Sequence, residues 1–551
     1  MLNPYKTLAN VNNASAKEYK ERSYKDTSLP MVDSPKPLQP HIYDLAARVY
    51  LVMWRRIESQ ALLARLSSHS SKETKIAEQV KALGIVLDSF GNTKTLMNPN
   101  ASRHSRCTEL HFNDRGRISG AKVLTFGLDK SRLDRLVPEE QTFPVFYQFI
   151  AGCTSAERDS LNIGDPSDYA LLASSGMYRL PAGPFSNDSI AMGDIRAARR
   201  KLGFKPKSTA TIFSLLITIL LLGNLEFGQG DFHTVSAHVT NIEVLDQVSR
   251  LLGVSSEDLS QSLTNKTSYV RKELYTSLLS AQQSAAQRDQ LVRDLYAILF
   301  AFVVETANHK LAPSSKSPPP HTQIVMLDMP GFQSRGPIGT NSISLSGPAP
   351  LVSAYSQNGF DEFCVNFSDE MLQSYFLRNT FEDTVGYNAH IVSDGVAIPA
   401  ISTMDNTACV EMLRGQLPDK AQRKPGGLLA VMNKASSSFK AGKSCDHRKE
   451  DLLQERQTKF GVHASFVANP ASGPTTANRM QFGVNHYTEM STYDVSDFVE
   501  KDTNLLDPTF VSLLRNSTDG FVAKLFSGQI YRRSSTSLFP TSSCTYTNSL
   551  V

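Results

Sequence analysis

Four consecutive apolar residues, Ile324-Val325-Met326-Leu327, run directly into Asp328-Met329-Pro330-Gly331-Phe332-Gln333, and this junction constrains the fold more than any other stretch. A short apolar run that ends in turn residues reads as a buried strand. A carboxylate at the end of such a strand, followed by a glycine, is a common way to hold a Mg²⁺-bound phosphate. The glycine lets backbone amides approach a ligand where a Cβ would clash. The same residues also read as an Asp-Pro-Gly type turn between core elements. After a Gly/Ser/Pro-rich loop, Phe360, Phe363, Cys364, Phe367, Met371, Leu372, Tyr375 and Phe376 recur at helical spacing. That spacing predicts a long helix with one apolar face.

A chain of 551 residues is too long for one small core and implies several packed subdomains. Its composition, 40% hydrophobic and 20% charged, is that of an ordinary globular protein. A net charge of +4 is too small to argue for a nucleic-acid partner. Six scattered cysteines form neither a zinc motif nor a disulfide framework, which points to a reducing compartment. Lys6, Asn10, Asn12 and Asn13 stand where a secretory signal needs an apolar core. The most apolar stretches, 212–222 and 295–304, fall short of the roughly 18–20 residues that span a bilayer and read as buried helices.

Asp328 to Gln333 resembles switch II of a myosin motor, and Phe360 to Gln373 (FDEFCVNFSDEMLQ) resembles the start of the myosin relay helix. The wording MLDMPGFQ, with Pro330 and Gln333, is similar to the motor-like domain at the N-terminus of some fungal chitin synthases. A working myosin has glutamate at the last of these positions. The resemblance implies an α/β fold of the myosin-motor, P-loop NTPase kind: a central, mostly parallel twisted sheet with large helical subdomains. It also implies a nucleotide site for ATP and Mg²⁺. Asn3-Pro4-Tyr5-Lys6 resembles the purine-binding loop, although Val11 stands where an aromatic residue packs on adenine. Asn98-Pro99-Asn100-Ala101-Ser102-Arg103 resembles switch I. By that match Ser102, with Asp328, would hold Mg²⁺, and Asn98 and Asn100 would lie at the phosphates. Arg103 would meet position 333, where a neutral Gln333 gives a hydrogen bond instead of a bidentate ion pair. Gly331 completes the implied set.

The phosphate loop itself is degenerate. Its chemistry needs glycines, so that amides curl round the phosphates, a lysine for the β/γ oxygens and Ser/Thr for Mg²⁺. Two alignments of Glu58–Glu73 are open. In one, Lys72 is the surviving lysine, Leu66, His69 and Ser71 replace glycines, and Glu73 replaces the Mg²⁺ hydroxyl. In the other the loop is absent, and Leu63 onward belongs to the helix end and surface loop that follow it. The distance from Lys72 to Asn98 is roughly twenty residues shorter than the resemblance requires, which favours absence. Either way no competent phosphate cradle is expected and no catalytic residue is assigned.

Further landmarks follow in order. The hairpin from Gly116 to Lys130 resembles the myosin transducer strands. Phe143–Gly152 and Ile212–Phe227 read as helices, 242–304 as helical throughout, His486–Lys501 as a strand pair, and Leu513–Phe526 as a helix. The resemblance covers residues 3–528, within a motor-like domain of 1–530, and 531–551 reads as a disordered Ser/Thr-rich tail. No converter, lever helix or glycosyltransferase signature is recognisable in the sequence. The expectation is a degenerate motor-like module that binds actin filaments and localises a chitin synthase for fungal cell-wall synthesis. It would lie in the cytoplasm, at the inner face of the plasma membrane or on secretory vesicles. The alternatives are a weak ATP-binding actin motor using the remaining switches, or an incomplete chitin synthase fragment without independent activity.

Overall fold

The computed structural model describes residues 49, 50, 53, 392, 393 and 395 and most of 60–64, 75–333, 358–381, 405–415, 426–440, 454–468, 480–499 and 508–527. The elements that position the candidate site are, in chain order, β1 (Gln60–Ala64), α1 (Lys75–Gly91), β2 (Asn92–Thr93), β3 (Ala101–Ser102), β4 (Ser105–Phe112) and β5 (Ile118–Phe126). They continue with α2 (Pro206–Gly223), α3 (Ala281–Leu311), β6 (Thr322–Asp328), α4 (Phe360–Phe381), α5 (Thr407–Arg414), β7 (Gln481–Asn485) and β8 (Met490–Asp494). The chain divides into two compact units, one of residues 1–81, 106–124 and 308–328, the other of the remainder.

The first unit carries a four-stranded sheet in the order β1-β6-β4-β5. β1 pairs in parallel with β6, from Gln60 opposite Ile324 to Ala64 opposite Asp328. β6 runs antiparallel to β4, which sets Asp328 directly opposite Arg106. Among the described residues the sheet is therefore mixed, not mostly parallel. The local cause is the tight β4–β5 turn. The Asn113 side chain accepts from the amides of Arg115 and Arg117, and Gly116 takes a positive φ of 67°. A short connection of this kind joins antiparallel strands, whereas parallel strands need a crossover. The β6 run is also less enclosed than four apolar residues suggest: Ile324 is buried, but Val325, Met326 and Leu327 are half-buried. Ile324 packs with Met53 and Phe112, and Tyr50 closes this small core by donating its hydroxyl to the Gly116 carbonyl at 2.9 Å.

The second unit is mainly helical. α2 is its most enclosed helix, with every residue from Ile212 to Gly223 except Ser214 buried. At 18 residues α2 is long and apolar enough to cross a membrane, contrary to the shorter span read from the sequence. It is nonetheless packed inside this protein: Phe213 stacks on Phe149 at 4.4 Å, and Arg196 and Arg199 sit over the Phe213 ring. Residues 242–304 are not continuously helical. A hairpin of Asn265–Val270 and Glu273–Leu278 interrupts them, pairing Thr267 with Thr276 and Ser268 with Tyr275. β-Branched and aromatic residues favour the pleated surface. The expected helix over Leu513–Phe526 is two helices, Pro508–Arg515 and Gly520–Ser527, the second capped by Asp519 accepting from the Phe521 and Val522 amides.

α4 begins in a core with Phe482, Tyr493 and Phe498. Phe360 and Phe363 are buried there, while Tyr375 and Phe376, on the same predicted apolar stripe, are exposed. The stripe thus anchors only the first half of the helix. Arg132 fixes its start: this guanidinium, 1% exposed, pairs with Asp129 at 3.0 Å and Glu140 at 2.8 Å, and lies 3.7 Å from Glu362 of α4.

Candidate functional site

The switch-I-like residues sit on a two-residue ladder in the second unit. β2 pairs with β3, Asn92 opposite Ser102 and Thr93 opposite Ala101. The Asn92 side-chain amide donates to Asn100 Oδ1 at 3.0 Å, and the Asn98 side chain accepts from the Asn100 amide at 2.9 Å. Asn98 and Asn100 therefore brace each other and the ladder. Just beyond, the Arg103 amide donates to the Gly91 carbonyl at 2.8 Å. Gly91 cannot carry a side chain here, because a Cβ would stand 2.4 Å from the His104 ring. The backbone is thereby tightened so that the Arg103 side chain is held buried.

Arg103 and Gln333, 230 residues apart, meet as the resemblance implies: Arg103 Nη1 donates to Gln333 Oε1 at 2.8 Å. Gln333 continues the connection. Its side-chain amide donates to the Gly331 carbonyl at 2.5 Å. Its backbone amide donates to Asn366 Oδ1 at 2.6 Å, and its carbonyl accepts from Asn366 Nδ2 at 2.7 Å. Asn366 of α4 also donates to the Tyr493 hydroxyl at 2.7 Å. Tyr493 lies 2.7 Å from His486 Nε2, and His486 Nδ1 lies 3.0 Å from Glu370 Oε1. The directions close if Nδ1–H donates to the carboxylate and Nε2 accepts from the phenol. Glu370 also accepts from the Tyr487 amide and from Asn406. Burial and the Glu370 carboxylate push the neighbouring Cys409 thiol well above its ordinary range. Glu370, Cys409 and His486 place their donor atoms within 4.8 Å of one another, yet hydrogen bonding already accounts for the carboxylate and the ring.

Asp328, expected at the metal, is engaged differently. In the first unit Arg106 Nη2 donates to Asp328 Oδ2 at 3.2 Å, with both side chains about one-fifth exposed. Burial pushes the Asp328 carboxyl above its usual value, and Arg106 opposes that shift. Ser102 is half-buried at the end of β3. Gly331 is exposed, and a Cβ added to it would meet nothing within 4 Å. Protein packing therefore does not require glycine there. Asn3 and Pro4 lie outside the described residues.

Leu63 lies in β1, paired with Leu327, not in a helix end that follows an absent loop. A parallel strand, ten residues (65–74) and then α1 is the order a phosphate loop requires. This supports the alignment that keeps Lys72 at the lysine position. The connecting residues contain no glycine, and Leu66, His69, Ser71 and Glu73 stand where that alignment needs glycines and the Mg²⁺ hydroxyl.

The profile of the myosin head (motor domain) family matches residues 63–343 and 351–545. The chain belongs to the myosin head family. The match implies a P-loop NTPase-like fold, in keeping with the β1–α1 order. The chain is 30% identical to chitin synthase 8 of Mycosarcoma maydis over 545 residues, 94% of this chain and 24% of that protein. It is 31% identical to chitin synthase 5 of Cryptococcus neoformans var. grubii over 503 residues, 87% of this chain and 24% of that protein. Myosin-1 of Arabidopsis thaliana is 27% identical over 529 residues, 93% of this chain and 40% of that protein. The chain thus spans about a quarter of the length of the two chitin synthases.

Myosin heads as a family bind ATP and Mg²⁺, and the residues of this one do not fit that group. The β1–α1 connection lacks the glycines that let amides surround a phosphate. The carboxylate expected at the metal already carries an arginine counter-charge. Sequence reasoning missed Arg106, Asn366, Tyr493 and His486. The one signal in the sequence was a polar Asn366 beside Phe367 within an apolar helical stripe; Arg106 opposite Asp328 follows from the register of β4 against β6, which the sequence does not show.

Proposed function

We propose that this myosin head is a degenerate motor-like module that works by adhesion: it docks on actin filaments at the cytoplasmic side of a membrane and localises a chitin synthase region for cell-wall synthesis. The observation that carries this reading is twofold: the residues that join β1 to α1, themselves outside the described residues, contain no glycine, and Asp328 at the end of β6 is paired with Arg106. Transition-state stabilisation in phosphoryl transfer comes almost entirely from amides, lysine and metal aimed at the phosphates. Without that cradle, nucleotide turnover is not what the fold offers. The similarity to two fungal chitin synthases supports the partner, and the family supports actin. Co-sedimentation with filamentous actin tests the reading. The chain is expected to pellet with actin above a control protein, equally with and without Mg-ATP. Pelleting no better than the control rejects the reading and favours a fragment without independent activity.

A weak ATP-binding motor is the second reading, favoured by one observation: Lys72 falls in the segment that joins a parallel strand to α1. Release of the chain from actin by Mg-ATP, with phosphate production above background, would put this reading first.

A further inference from the structure

We propose that Gln333 is a latch that closes residues 331–333 onto both Arg103 and α4, and that it closes because its side chain is an amide. An amide accepts at one end and donates at the other, and this one uses both ends. Oε1 accepts from Arg103 Nη1 at 2.8 Å while Nε2 donates to the Gly331 carbonyl at 2.5 Å. The backbone of the same residue takes both ends of the Asn366 amide, at 2.6 and 2.7 Å. One residue therefore ties the turn at Gly331, the guanidinium after β3 and the buried Asn366 of α4 into one hydrogen-bonded piece. A carboxylate cannot do this. It would pair more strongly with Arg103, but its second oxygen would face the Gly331 carbonyl at hydrogen-bond distance, lone pair against lone pair. The chemistry that strengthens one side of the latch breaks the other. Gln333 thus favours a permanently closed turn over one that opens and closes with its surroundings. This goes beyond the adhesion reading, since it concerns the free protein and invokes neither actin nor nucleotide.

Hydrogen exchange of the full chain, read on peptides covering 329–333 and the start of α4, tests the latch against a simple Arg103 tether. In the wild type the Gln333 amide is expected to be protected. Gln333→Glu keeps and strengthens the Arg103 contact but loses the Gly331 one, and exchange at 329–333 is expected to rise at least fivefold. Gln333→Met loses both contacts and is expected to exchange at least as fast. Unchanged exchange in peptides from α2 shows that both variants are folded. If Arg103 alone held the turn, Gln333→Glu would slow exchange or leave it unchanged, and either result overturns the latch. Wild-type exchange at the unprotected rate overturns it as well.

Discussion

Arg106 and Asp328 face each other across β4 and β6, the guanidinium donating to the carboxylate at 3.2 Å. The contact places a fixed positive charge on the residue that a metal would need. Burial already raises the Asp328 carboxyl, and Arg106 is the charge that offsets it. Removing Arg106 leaves that carboxylate to ionise without a counter-charge, so its native pKa rises further. An acid with a raised native pKa binds protons more readily when folded, so stability falls as pH rises from the unfolded value through the native one. Arg106→Ala is therefore expected to cost ~1–2 kcal/mol at pH 7.5, in the range of a hydrogen bond to a charged group, and clearly less at pH 4.5. Urea titrations at the two pH values check this. A deficit that is equal at both, or larger in acid, contradicts the assignment.

Arg132 is the charge that holds the start of α4. Its guanidinium is enclosed by Asp129, Glu140 and Glu362. Glu362 in turn caps the helix by accepting from the Gly359 amide at 2.9 Å. Deleting one member of a buried charge cluster leaves the others uncompensated, which typically costs about 3–5 kcal/mol. Arg132→Met, close in shape but uncharged, is expected to lower the unfolding free energy by that amount. It should also raise hydrogen exchange at 358–366 ahead of the rest of the chain. A change below ~1 kcal/mol would mean that the acids find other partners.

What the sequence made legible was local and periodic. The apolar run 324–327 did become β6, and Phe360 and Phe363 did anchor a helix, because strand and helix periods are written in neighbouring residues. Arg103 meeting Gln333 followed from the family resemblance, not from spacing. Three things were not legible without tertiary information. Tyr375 and Phe376 repeat the apolar period but are exposed, since periodicity says which face a residue shares, not whether anything covers it. The hairpin 265–278 was hidden among helices because its β-branched residues are interleaved with polar ones. Arg106 opposite Asp328 depends on strand register, and a one-residue slip would have turned the side chain to the other face. Leu63 was misplaced because loop spacing outweighed the apolar residues Ala61-Leu62-Leu63-Ala64, which prove to be a paired strand.

His486 and Glu370 make the inner end of the hydrogen-bonded series a structural element. Both side chains are fully buried and 3.0 Å apart. His486→Leu removes the donor to Glu370 and the acceptor for the Tyr493 hydroxyl, leaving two buried polar groups short of a partner. Each such loss costs about 1–3 kcal/mol, so an overall loss of ~2–4 kcal/mol is expected by denaturant unfolding. In a cycle with Glu370→Gln, the two changes should be non-additive, because the carboxylate and imidazole are direct partners. Additive losses would show that the contact between them carries no coupling.

The β1–α1 connection gives the sharpest test of what has been lost from this myosin head. If Lys72 occupies the lysine position, Leu66, His69 and Ser71 are the positions where side chains now stand in place of approachable backbone. Glu73 then sets a carboxylate where the metal hydroxyl belongs. Its negative charge would repel a triphosphate outright, whereas the other three block it sterically. The combined change Leu66→Gly, His69→Gly, Ser71→Gly and Glu73→Thr is therefore expected to raise affinity for a fluorescent ATP analogue at least tenfold over the wild type, or about 1.4 kcal/mol. Glu73→Thr alone should give part of that gain, and a larger part at low salt, because screening weakens the repulsion it removes. Adding Arg106→Ala should then make binding more Mg²⁺-dependent, by freeing Asp328. Should the combined variant remain folded and bind no better than the wild type, Lys72 is not the remnant of a phosphate loop, and the glycines were lost together with the geometry they served.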